Sequence, residues 1–150
     1  MQGYLREVRN YEVCAIDWAD KKEALQYVHT LKSNEHELEV LTGSKNIHEG
    51  AKILAQWGIK EVVITLGSIG SVIYAGEKFY TIPAYAPTAI VDATGCGDTY
   101  MAGYLYQRVK GTGIKQAGRF AAAIASLKIQ ASGPFNGTEY EVNELLFANS

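Results

Sequence analysis

Val91-Asp92-Ala93-Thr94-Gly95-Cys96-Gly97-Asp98-Thr99-Tyr100 is the stretch on which the fold turns. It leads into a segment ending at Gly111, in which Met101, Leu105 and Val109 recur four residues apart, the spacing of one helix face. Gly95 and Gly97 therefore stand at the mouth of a predicted helix. There the first backbone N–H groups lack intrahelical acceptors and the dipole is positive. Glycines at such a mouth let the backbone approach an anion closely, so the segment predicts an anion cradle. Asp98 falls in the first turn, where a carboxylate commonly caps the helix or balances its dipole, and local spacing alone prefers that role to a catalytic one. Two familiar phosphate motifs are excluded. A P-loop requires GxxxxGK followed by Ser or Thr, and neither glycine leads into one. A dinucleotide fingerprint would place glycine where Tyr100 stands and would open the first strand–helix unit.

Upstream, Ser71 to Tyr74 and Lys78 to Ile82 predict two strands joined by a tight turn at Ala75-Gly76-Glu77. Before them EVVITLG, residues 61–67, is a β-branched run predicting a strand buried on both faces. A helix with Ile47, Ala51, Leu54 and Ala55 on one face precedes it and stops at Gly58. A shorter one follows Ser33-Asn34, with Leu38 and Leu41 sharing a face, Glu37 near the cap and Gly43 at the end. Asp20 caps a predicted helix carrying Ala24, Leu25 and Val28. Beyond the glycines, residues 114–133 form an alanine-rich helix whose small side chains permit close packing on a helix or a ligand ring. Residues 138–146 predict a last helix, with Thr138 and Glu141 in capping-box positions. Helix followed by buried strand marks an α/β layer, and 150 residues suit one such unit.

Composition narrows the partners. Hydrophobic residues at 47% and charged residues at 20% are those of a folded globular chain, and a net charge of −2 with scattered basic residues offers no footprint for nucleic acid or an anionic membrane. Two distant cysteines, Cys14 and Cys96, make neither a disulfide framework nor a zinc site, and the charged opening MQGYLREVRNYEV is unlike a signal peptide, so the expected compartment is the cytoplasm. His29, His36 and His48 are dispersed and read as surface or loop residues. Ten tyrosines alternate with apolar residues and read as packing.

DATGCGDTYMAGYLY resembles the C-terminal signature of the PfkB/ribokinase family of carbohydrate and nucleoside kinases. Asn34-Glu35-His36-Glu37 matches that family's NxxE, and Thr65-Leu66-Gly67-Ser68-Ile69-Gly70 its TxGxxG, in the same order. The resemblance implies a ribokinase-like three-layer αβα fold, of which residues 1–150 would be the C-terminal ATP-binding and catalytic portion of the parallel sheet with a β-hairpin. It implies ATP-dependent phosphoryl transfer to a hydroxyl of a sugar or related small molecule. Asp98 would be the catalytic base, and the amides of Gly95, Cys96 and Gly97 the anion hole. Thr65, Gly67, Gly70 and Ala122 would lie at the nucleotide. Asn34 and Glu37 would act through water on Mg2+, while Asp92 and Thr94 match positions that bind a monovalent cation such as K+ in some members. Many relatives carry asparagine near Ala122, so one polar contact to the nucleotide is missing.

The family grips its acceptor mainly through an N-terminal half with a glycine pair, a substrate Asp and a sheet lid, none of which this sequence contains. MQGYLR resembles a phrase found midway along some relatives, so the chain reads as truncated and the isolated chain is expected to be nearly inactive. A cut sheet exposes an edge, which favours a homo-oligomer. A nucleoside kinase of the same family and a non-catalytic nucleotide-binding module are the alternatives.

Overall fold

The computed structural model describes residues 4–149; Met1-Gln2-Gly3 of the opening phrase, and Ser150, lie outside the described residues. In chain order the elements are β1 (Arg6–Arg9), β2 (Glu12–Ala15), α1 (Lys21–Leu25), β3 (Thr30–Asn34), α2 (Glu35–Thr42), α3 (Ile47–Gln56), β4 (Glu61–Thr65), β5 (Gly70–Ala75), β6 (Lys78–Pro83), α4 (Cys96–Val109), α5 (Ile114–Lys128) and α6 (Glu139–Ala148). β1 and β2 pair alone, and the main sheet runs in the order β3-β4-β5-β6. The β5–β6 turn places Gly76 and Glu77 at φ of 55° and 62°, as a two-residue type I′ turn requires. The chain divides into two compact units, one running to Thr65 and including Tyr74–Phe79, the other holding Leu66–Ile73 and the chain from Tyr80 onward.

In the first unit, Val62, Val63 and Ile64 of β4 are fully buried, which fulfils the expectation of a strand covered on both faces. β3 lies parallel beside it, with Leu31 opposite Val62 and Asn34 opposite Thr65. Its sequence TLKSN has one large apolar residue, Leu31, among polar and charged ones, so no strand period announces it. α2 is capped by Asn34 at its start and Gly43 at its end, and α3 buries Ala51 and Leu54, as their patterns predict. α1 is shorter than expected. It ends at Leu25, and Asp20 occupies the cap position without a side-chain hydrogen bond, so little offsets the cost of starting a helix. β1 and β2 form a hairpin that the sequence reading did not contain. Val8 and Val13 face each other across it and both are exposed, leaving no inside–outside alternation to read.

In the second unit α4 starts at Cys96, so the glycines do open a helix. The face it buries differs from the expected one. Tyr100, Gly103, Tyr104 and Gln107 are buried, while Leu105 and Val109 are exposed. A tyrosine ring buries more apolar area than valine, and a buried phenol is tolerated where its hydroxyl finds a partner. The Tyr106 and Phe120 rings, 6.0 Å apart, join α4 to α5. The α5 alanines at 117, 121 and 123 are fully buried. Thr138 and Glu141 form the expected capping box on α6. Among the described residues no helix is long and apolar enough to cross a membrane.

Candidate functional site

The candidate residues fall into two groups, one in each unit. The larger surrounds the mouth of α4. Gly95 is its N-cap at φ 77°, a left-handed conformation that side chains avoid, and an added Cβ would meet nothing within 4 Å. The space in front of the loop is open. Cys96 donates its N–H to the Ala93 carbonyl at 3.2 Å and Thr99 donates to the Gly95 carbonyl at 2.9 Å. Among the described residues the amides of Gly95, Gly97 and Asp98 donate to no acceptor. The free N–H of Asp98 is a donor that residue type and spacing alone do not single out.

That carboxylate is exposed, makes no capping hydrogen bond to the helix and has no ion-pair partner among the described residues. The capping role that local spacing suggested is therefore absent. What remains is an acceptor-only group, held on the rigid first turn of a helix, beside three unsatisfied donors.

Behind the loop, Asp92 Oδ1 accepts the Thr94 N–H at 2.9 Å. That bond, with the Thr94 hydroxyl and the charge of Lys128, holds the Asp92 carboxyl below the ordinary carboxylate range. Lys128 Nζ lies 2.9 Å from the Asp92 carbonyl oxygen and 3.5 Å from Asp92 Oδ2, and its side chain is 1% exposed. Burial pushes the Cys96 thiol up, against the pull of Lys128. Tyr100, one turn into α4, shares a 2.6 Å hydrogen bond with Ser71 of β5, both buried, and so ties the helix mouth to the sheet. Burial raises the Tyr100 phenol to about 12. Ala122 is buried in α5 and offers no polar atom. Gly67 is exposed with open space around it. Gly70 has a local cause: at φ 122° its Cβ would stand 2.1 Å from the Ile82 carbonyl oxygen, so the approach of β6 excludes a side chain there.

The second group sits at the C-terminal ends of β3 and β4, whose parallel register brings Asn34 beside Thr65. Ligand sites of open parallel sheets lie at such ends. Thr65 donates its hydroxyl to the Ser33 carbonyl at 3.3 Å. Asn34 Oδ1 accepts the Glu37 N–H at 2.8 Å, and Glu37 Oε2 accepts the Asn34 N–H at 2.9 Å. Glu37 is buried, with Oε1 3.8 Å from Arg6 Nη2. The NxxE residues are thus arranged as a capping box, in which Asn34 Oδ1 and Glu37 Oε2 each accept one backbone N–H and keep a further lone pair for a water, the mode of contact expected of them toward Mg2+. No cluster of three or more His, Cys, Asp or Glu able to hold a metal occurs among the described residues. The three histidines are exposed, as expected.

Comparison with known proteins identifies the family and the fold. Residues 5–140 match the model of the pfkB family carbohydrate kinases. The chain belongs to the PfkB family. It is 35% identical over 111 residues to the nucleoside kinase of Methanocaldococcus jannaschii, covering 74% of this chain and 36% of that protein. It is 34% identical to the ribokinase of Arabidopsis thaliana solved with ribose and ATP, with a TM-score of 0.78 over 83% of this chain and 43% of that one. A pyrophosphate-dependent kinase of the ribokinase family, solved with a pyrophosphate analogue and myo-inositol, gives 32% identity and a TM-score of 0.81, covering 98% of this chain and 51% of that one. The fold is accordingly a partial ribokinase-like α/β fold. The chain spans about a third of the length of the curated relatives it matches. Around the glycine loop, the sequence reading missed Lys128, Ser71 and the hydroxyl of Tyr100. Lys128 left a faint signal, since it falls seven residues after Ala121 on the stripe that α5 buries.

Proposed function

We propose that this chain supplies the phosphoryl-donor side of an ATP-dependent kinase that phosphorylates a hydroxyl of a sugar or a related small molecule. The observation that carries the reading is the unpartnered Asp98 carboxylate beside the free amides of Gly95, Gly97 and Asp98. Those amides would receive phosphoryl oxygens where charge accumulates in transfer, with the helix dipole behind them. The Cys96 amide would join only by leaving the Ala93 carbonyl. Asp98 would accept the proton of the attacking hydroxyl. It needs no strong basicity, because in a loose transition state the proton moves as its oxygen loses electron density. Mg2+ would accompany the donor phosphates, with Asn34 and Glu37 reaching it through water.

Relatives solved with ribose, ATP or myo-inositol support a sugar-type acceptor and a phosphoanhydride donor. A second donor, pyrophosphate, is favoured by one feature of this chain: Ala122 presents no polar atom to a base. Acceptor-holding residues would lie in the share of the family length this chain does not cover. The 150-residue chain alone is then expected to bind donor weakly and turn over negligibly, because acceptor positioning supplies about 7–11 kcal/mol of barrier reduction in such reactions. The test is a panel of pentoses, hexoses, inositols and nucleosides with ATP or pyrophosphate, using the protein joined to the missing family length. Asp98→Asn is expected to lower kcat at least about 100-fold with donor affinity unchanged. Full turnover by that variant would refute the assignment of the base.

A further inference from the structure

We propose that the Lys128 ammonium takes the place of the monovalent cation behind the α4 loop, so that this chain carries a built-in positive charge there and has no need of K+. The resemblance assigns the cation to Asp92 and Thr94. A monovalent ion would have to be held there by oxygens, and the Asp92 carbonyl and carboxylate are the strongest at hand. Both already face Lys128 Nζ, at 2.9 and 3.5 Å. Lys128 is as well buried as a core residue, so its ammonium cannot move into solvent without unpacking the end of α5. An ammonium and a potassium ion carry the same charge and prefer the same oxygen ligands, and like charges sharing one pair of oxygens repel.

The surroundings fit a brace for the cradle. The Ile129 carbonyl, next to Lys128, accepts the N–H groups of Val91 and Asp92 at 2.8 and 3.1 Å. The Asp92 carbonyl that binds the ammonium is also 3.9 Å from Cys96 Sγ, on the first residue of α4. The end of α5 therefore grips the strand of chain entering the glycine loop by two amides and one charge. Lys128 acts as a positioning residue, fixing the loop whose free amides face outward. A lysine also differs from a bound ion in one testable way: its charge is present whatever salt surrounds the protein.

The reading of the loop as a phosphate cradle gives the proposal its meaning, but the test needs neither nucleotide nor turnover, so the two stand or fall separately. Thallium-205 NMR on the 150-residue chain, with Tl+ as the K+ surrogate, is expected to show no bound ion. Thermal unfolding is expected at the same temperature in KCl and in tetramethylammonium chloride of equal ionic strength. Lys128→Met, which keeps the stem and removes the charge, is expected to unfold at least about 3 °C higher in KCl than in tetramethylammonium chloride and to bind Tl+. Lys128→Arg, which retains a cation, is expected to remain indifferent to the choice of salt. Thallium binding or K+-specific stabilisation in the wild type overturns the proposal, as does a folded Lys128→Met with no response to K+. If Lys128→Met does not fold in either salt, the wild-type measurements decide, with silence to Tl+ and K+ upholding the proposal.

Discussion

Replacing Tyr100 by Phe removes one oxygen from the contact that ties the mouth of α4 to β5. Ser71 Oγ and Tyr100 Oη are 2.6 Å apart, and the two residues are 1% and 5% exposed. The variant leaves a buried serine hydroxyl without a partner, which costs about 1–3 kcal/mol. Ser71→Ala strands the phenol at a similar cost, whereas the double variant removes both groups and should lose clearly less than the sum of the singles. Alkaline pH gives an independent handle on the same pair. Burial raises Tyr100 from 10.0 to about 12, so between those values the unfolded chain releases a proton that the folded chain keeps. Stability from this group is complete below pH 10 and declines as pH rises toward 12, by about 3 kcal/mol at ~1.4 kcal/mol per unit. Urea unfolding followed by far-UV circular dichroism, at neutral pH and in steps through that window, measures both effects. The difference between wild type and Tyr100→Phe isolates Tyr100 from the other tyrosines and should shrink as the pH rises. Singles within about 0.3 kcal/mol of wild type, or curves that stay parallel up to pH 12, would refute the buried pair.

Gly70→Ala should cost upwards of about 3 kcal/mol in the same assay, because its Cβ would fall 2.1 Å from the Ile82 carbonyl at a positive φ. Asn34→Ala should cost about 1 kcal/mol through loss of the α2 cap, measured by urea midpoint. Acid should weaken the Asp92 contact in a definite sense. Its folded pKa lies below the ordinary carboxylate value, so its contribution is present above that ordinary value and lost as pH falls through the folded one. Asp92→Asn should therefore show a shallower acid loss than wild type.

The long, strongly patterned elements were legible in the sequence. β4 announces itself through Val62, Val63 and Ile64, and α2, α3, α5 and α6 through periodicity with Asn, Thr or Gly at their ends. β3 was not, because its five residues take their strand character from pairing with β4 rather than from propensity. The β1–β2 hairpin escaped for the opposite reason: its apolar residues are exposed, so burial imposes no period on them. At the candidate site, residue types and spacing exposed the cradle and Asp98. They did not show that Asn34 and Glu37 satisfy each other, that Gly70 answers to β6, or that Lys128 reaches Asp92 across 36 residues. Those are facts of tertiary approach, which a one-dimensional pattern does not record.

In the proposed function the first amides of α4 collect a phosphate beside Asp98. Two-dimensional 1H–15N NMR of the chain, titrated with MgATP and separately with magnesium pyrophosphate, tests it without requiring an acceptor. The Gly95, Gly97 and Asp98 amide resonances are expected to shift together and saturably, and Asp98→Asn is expected to preserve the response. Saturable binding that leaves those three resonances in place would contradict that reading.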